Sequence, residues 1–132
     1  MKTDIKALRQ NIDELCASMR LKIRYRYVDR WSSKGTFYPR ERRIETTPIR
    51  SRIDYFNALH ELGHAALGHG KAQSIYGSSR SQVYAAEVAA WKWAQEHSII
   101  PLTPLMQKYK DVCLESYQLV YRQPKYFTRW GL

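Results

Sequence analysis

The string His60-Glu61-Leu62-Gly63-His64 carries the residue types that a hydrolytic metal centre uses. On a helix, residues four apart are rotated by only about 40° and lie one turn above each other. Both imidazoles can therefore reach one metal ion without distorting the backbone. Glu61 points about 100° away from His60, near enough to touch a metal-bound water but not placed to replace a histidine ligand. Zinc suits this set, because it accepts neutral imidazole and lowers the pKa of a bound water to about 7. Glu61 is then the expected general base, taking the proton from that water and passing it to a leaving amine. Chance yields HExxH in about one of a few hundred chains this long, so two ordinary surface histidines beside a glutamate are the weaker reading.

A zinc site of this kind needs a third protein ligand and an open position. The metzincin spacing would require glycine at 67 and histidine at 70, where Leu67 and Gly70 stand. Glu87 lies on the next expected helix among Ala85, Ala86, Ala89 and Ala90. Two helices packed through small residues can bring its carboxylate close, which makes it the expected third ligand, with His97 and Glu96 as lesser candidates. His69 is expected to lie too close along the chain to swing back, since the helix must first end at Gly68. Tyr76, Tyr84 and His69 could each donate to a developing oxyanion, yet each reads better as a packing or loop residue. Gly63 costs roughly 1 kcal/mol in a helix interior unless something packs close to it.

The elements that must position these residues follow from hydrophobic spacing. Ile5, Leu8, Ile12, Leu15, Cys16 and Met19 form one apolar helical stripe over 4–19, with Thr3 or Asp4 as cap. Over 21–28, Leu21, Ile23, Tyr25 and Tyr27 alternate with Lys22, Arg24 and Arg26, a strand with a cationic outer face. A turn at 32–35 precedes short strands at 36–38 and 43–47, and Pro48 ends that run. Ile53, Phe56, Leu59, Leu62, Ala66 and Leu67 predict an amphipathic helix over 51–68, stopped by Gly68-His69-Gly70. A polar loop spans 71–81 and an Ala-rich helix 82–97, with Val83, Ala86, Ala90, Trp93 and Ala94 near one side. Thr103-Pro104 starts a last helix, 104–121, through Leu105, Tyr109, Val112, Tyr117 and Val120. The expected fold is α+β: a small antiparallel three-stranded sheet on the HExxH helix, with one helix before it and two after. The order is that of a meander.

With 132 residues, 44% apolar and 26% charged, the chain fits one soluble domain and not a disordered one. No stretch approaches the roughly 18 uninterrupted apolar residues of a membrane helix. Met1 to Lys6 lacks the apolar block of a secretion signal, and Cys16 and Cys113 cannot build a disulfide framework or a four-thiolate zinc site. A cytoplasmic location is expected. The formal charge of +10 is concentrated in residues 20–52, where eleven basic side chains face only Asp29, Glu41 and Glu45. Such a patch attracts nucleic acid or acidic proteins, though a solvated face is the plainer reading.

The block Asn57-Ala58-Leu59-His60-Glu61-Leu62-Gly63-His64-Ala65-Ala66-Leu67-Gly68-His69, after the strands and before a helix bearing Glu87, resembles the ImmA/IrrE family of zinc metallopeptidases. The similarity covers about residues 20–101, the implied catalytic core, with a C-terminal helix and tail at 102–132 in the same single domain, 1–132. The resemblance implies a minimal zincin-like fold. It also implies zinc held by His60, His64 and Glu87, Glu61 as base, and cleavage of a DNA-binding repressor of a phage or mobile element. Two features depart from the family. Its E-x-E-A-N-x-F-A continuation is here Glu87-Val88-Ala89-Ala90-Trp91-Lys92-Trp93-Ala94, ending at Ile99-Ile100-Pro101 rather than Leu-Met-Pro, and no helix-turn-helix or sensor segment is expected within these 132 residues. The SprT-like zinc proteases take a third histidine well downstream, which is lacking here. A different class of function is a metallopeptidase-like binding protein. It would act through the basic face, with Tyr25, Tyr27, Phe37 and Tyr38 among arginines as a stacking platform.

Overall fold

The computed structural model describes residues 4–26, 35–69 and 80–122. Expectations for the turn at 32–34, for Tyr27, for Tyr76 and most of its loop, and for the tail from 123 lie outside them. Helix α1 (Ile5–Ser18) is capped by Asp4, whose side chain accepts from the Ala7 amide. It buries Leu8, Ile12 and Cys16. Arg20, at φ 54°, turns the chain out of the helix while the Leu21 amide donates to the Cys16 carbonyl and the Arg20 amide to that of Ala17. That pair of bonds is a Schellman motif, and it delivers Leu21 into the core at the start of the sheet.

Strands β1 (Lys22–Tyr25), β2 (Gly35–Tyr38) and β3 (Arg43–Thr46) form a sheet in the order β1-β3-β2. β2 and β3 are antiparallel and joined by a tight turn through Arg42, at φ 51°. β1 runs parallel to β3. The all-antiparallel meander expected from strand succession is therefore corrected: the sheet is mixed, and β3 lies in its centre. The reason is burial. Ile44, Glu45 and Thr46 are all buried, on both faces of the strand, and a strand covered on both faces belongs inside a sheet. Ile23, Ile44 and Phe37 stand in register on the face turned to the helices. Arg24, Glu45 and Thr36 share the other face, where Glu45 pairs with Arg26 at 3.2 Å and Arg43 at 3.3 Å.

Helix α2 (Arg52–Ala66) starts at Ser51, whose hydroxyl accepts from the Asp54 amide. Every residue from Tyr55 to Gly63 is buried. The expected amphipathic helix is thus central instead, enclosed by α1, the sheet, α3 (Arg80–His97) and α4 (Pro104–Arg122). Burying each of Phe56, Leu59 and Leu62 contributes about 1.5–3 kcal/mol, which holds the helix in place. The Tyr55 hydroxyl donates to Asn11 at 2.6 Å and accepts from the Ile99 amide, tying α1 and the segment after α3 to α2. α4 is capped by Thr103, but its inward face runs through Met106, Tyr109 and Cys113. Leu105 and Val112, expected inward, are exposed. No helix among the described residues is long and apolar enough to cross a membrane.

Candidate metal centre

A helix buried on all sides should carry only apolar residues, yet α2 buries Asn57, His60 and Glu61. Buried polar groups cost free energy unless something pairs with them. On α2 the something is a cluster. His60 Nε2 and His64 Nε2, one turn apart, lie 3.1 Å from each other. The Glu87 carboxylate spans them, with Oε2 2.9 Å from His60 Nε2 and Oε1 3.2 Å from His64 Nε2. His60, His64 and Glu87 form the one group of potential ligands among the described residues whose atoms converge in this way.

Glu87 reaches the histidines because α3 presses against α2 at Gly63. A Cβ there would fall 2.7 Å from the carbonyl oxygen of Ala90. Ala90 is three residues from Glu87, so the close approach fixes the carboxylate one turn away over the histidines. Trp91, buried beside it, stacks on the His60 ring with centroids 3.9 Å apart. Sequence spacing pointed to Trp93 for that face, but Trp93 is only partly buried and stacks instead on His97. His97 bonds the Trp93 carbonyl and Glu96 lies 4.0 Å from Lys92, both side chains being exposed near the far end of α3. Neither belongs to the cluster.

Ligands about 2.0–2.1 Å from one tetrahedral zinc lie about 3.3 Å apart, close to the 2.9–3.2 Å found here. Glu87 Oε2 is near His60 Nε2 without a directed hydrogen bond to it or to any described group. The ligand atoms of His60, His64 and Glu87 all lie within 4.8 Å of one another, a spacing that co-ligands of one ion adopt. The residues present fit a divalent cation bound through two imidazoles and a carboxylate.

Glu61 completes the electrostatics. Its Oε1 lies 3.9 Å from His60 Nε2, and a Cβ on Gly35 of β2 would fall 2.7 Å from its Cγ. Glycine at the start of β2 lets the strand lie against the Glu61 stem. Burial pushes the Glu61 carboxyl up, partly offset by the two histidines. Burial alone would also raise Glu87, but the His60 and His64 imidazoles hold it well below the usual carboxylate range. His64 loses basicity to burial and regains more from Glu87, ending above its ordinary value.

His69 departs from expectation. The end of α2 repeats the Schellman motif: Gly68 at φ 70°, the His69 amide on the His64 carbonyl at 2.9 Å and the Gly68 amide on Ala65. That motif brings the residue after the glycine back against the residue five before it. His69 therefore does swing back, and its Nδ1 lies 2.9 Å from His64 Nδ1. It meets the side of the ring opposite Nε2 and is not among the converging ligands. The signal was present as His-x-x-x-Gly-His at the helix end. In comparisons with known proteins, the chain matches no family model, no curated protein and no solved structure.

Proposed function

We propose that this chain is a zinc-dependent endopeptidase of ImmA/IrrE type with a zincin-like arrangement. The observation that carries the reading is the convergence of His60, His64 and Glu87, with the Glu61 carboxylate beside them. When bound, zinc supplies a Lewis acid for the scissile carbonyl and acidifies a water. His60 and His64 would hold it through Nε2 and Glu87 through its carboxylate. Glu61 takes the proton of the attacking water and returns it to the leaving amine, a task suited to a carboxyl whose affinity for protons is raised by burial. The absence of a side chain at Gly35 leaves room for that carboxyl beside the histidines.

The substrate reading is an extended segment of a repressor-type, DNA-binding regulator of a phage or mobile element, cleaved in the cytoplasm. Two cysteines without a disulfide suit a reducing compartment. β3 is paired on both sides and offers such a segment no free edge. β2, an edge of the described sheet whose first residue lies against Glu61, supplies one. The alternative, a binding protein acting through its basic face, has less support, because Glu45 engages Arg26 and Arg43 on that face. Glu61→Gln tests the peptidase reading: zinc stays bound while cleavage of a repressor substrate falls by about 10²–10⁴-fold. Unchanged cleavage would contradict it.

A further inference from the structure

The two histidines of the cluster are held in different ways. His60 lies against the Trp91 ring, and its Nδ1 is buried with no hydrogen-bond partner among the described residues. His64 Nδ1 meets His69 Nδ1 at 2.9 Å, with the rings edge to face. A contact that short between two ring nitrogens needs one hydrogen between them. His64 Nε2 faces Glu87 and His60, so in the metal-binding form its lone pair must lie on Nε2 and its hydrogen on Nδ1. His69 Nδ1 is then the acceptor, and His69 carries its own hydrogen on Nε2.

We propose that His69 is a positioning residue: it accepts the His64 Nδ1 hydrogen, fixes that ring's tautomer and orientation, and so tightens metal binding. The inference rests on the metal-site reading. Ligating histidines nearly always donate their second ring hydrogen to a carboxylate, a carbonyl or water. Here the acceptor is a neutral imidazole supplied by the helix terminator itself. The choice suits the charge balance, since Glu61 and Glu87 already bring two carboxylates to a divalent cation. Gly68 makes it reachable, because its positive φ is the turn that returns position 69 to position 64.

His69→Leu and His69→Asn separate this role from a packing role. Leucine keeps the apolar contact that ordinarily accompanies a Schellman end but cannot accept a hydrogen bond, whereas an asparagine Oδ1 stands close to where Nδ1 stood. Competition against a chromogenic chelator, read for Zn2+ and for Co2+, should show His69→Leu weakened about 10- to 100-fold and His69→Asn within a few-fold of the unaltered protein. Equal affinity of His69→Leu and the unaltered protein overturns the inference and leaves the metal site standing. Equal weakening of both variants overturns it as well, since packing alone would explain that. If the unaltered protein takes up neither metal, both the site and this inference fall. Long-range 1H–15N NMR of the zinc-loaded unaltered protein needs no variant to fold. It should find hydrogen on Nδ1 of His64 and Nε2 of His69, and hydrogen on Nδ1 of His69 would overturn the assignment.

Discussion

Gly63 of α2 and Ala90 of α3 meet backbone to backbone, so closely that any Cβ on Gly63 would fall 2.7 Å from the Ala90 carbonyl oxygen. This contact links the fold to the site, because it sets how far the carboxylate on α3 stands from the histidines on α2. Gly63→Ala should gain about 1 kcal/mol in helix propensity and lose about 1–3 kcal/mol to overpacking. The expected net effect is destabilisation in urea unfolding, together with weakened metal binding from a displaced Glu87. A variant more stable than the parent, with undiminished affinity, would contradict the role given to this contact.

Gly35→Ala should act differently. Its added methyl meets the side-chain stem of Glu61 rather than backbone, so the glutamate must shift while the ligands stay. Metal affinity should remain within a few-fold of the parent, and hydrolysis should fall in the direction of the Glu61→Gln loss. Isothermal titration with Zn2+ and a cleavage assay on the same preparation separate the two. Loss of metal and activity together would argue against a selective effect on Glu61.

Trp91 supports His60 by stacking, in a fully packed environment that includes Phe56 and Tyr109. Trp91→Ala should cost about 3–5 kcal/mol and loosen the metal. Trp91→Phe keeps a ring against His60 and should lose much less of both. Thermal unfolding with and without Zn2+ reads the difference. Equal metal affinity in the two variants would deny Trp91 any part in holding His60.

Cys16 supplies a pH signature unconnected with the metal. Burial, with Asp13 nearby, pushes its thiol from 9.0 up to about 11. The folded state therefore favours the neutral thiol. Its stabilising share is complete below pH 9, where the thiol is neutral folded or unfolded, and is lost as pH rises from 9 to about 11. A two-unit shift corresponds to about 2–3 kcal/mol. Urea unfolding at pH 8 and pH 11 should show a smaller drop for Cys16→Ala than for the parent. Identical drops would contradict the assignment.

The pairing of His60 with His64 was legible because helical geometry ties residues four apart to one face, whatever the tertiary context. Asp4 and Thr103 announced their helices by capping chemistry, and alternation showed a cationic face on β1. The sheet order was not legible. Pairing β1 with β3 depends on which strand the helices cover, and Arg43-Ile44-Glu45-Thr46 reads as a half-polar strand until Arg26 and Arg43 satisfy Glu45. The phase of α4 was ambiguous for a simpler reason. Leu105 and Val112 repeat every seven residues just as the truly inward Met106 and Cys113 do. His69 stays outside the ligand group, as its chain distance implies, but its return to the far side of His64 follows from the Schellman end, which residue spacing alone does not show.

The central claim is that His60, His64 and Glu87 together grip one divalent cation. Elemental analysis of the purified protein after equilibration with Zn2+ and dialysis tests it, run beside His60→Ala, His64→Ala and Glu87→Ala with folding checked by circular dichroism. The account predicts one zinc per chain in the parent and far less in each folded variant. A parent without stoichiometric zinc, or three variants that retain it, would contradict the account.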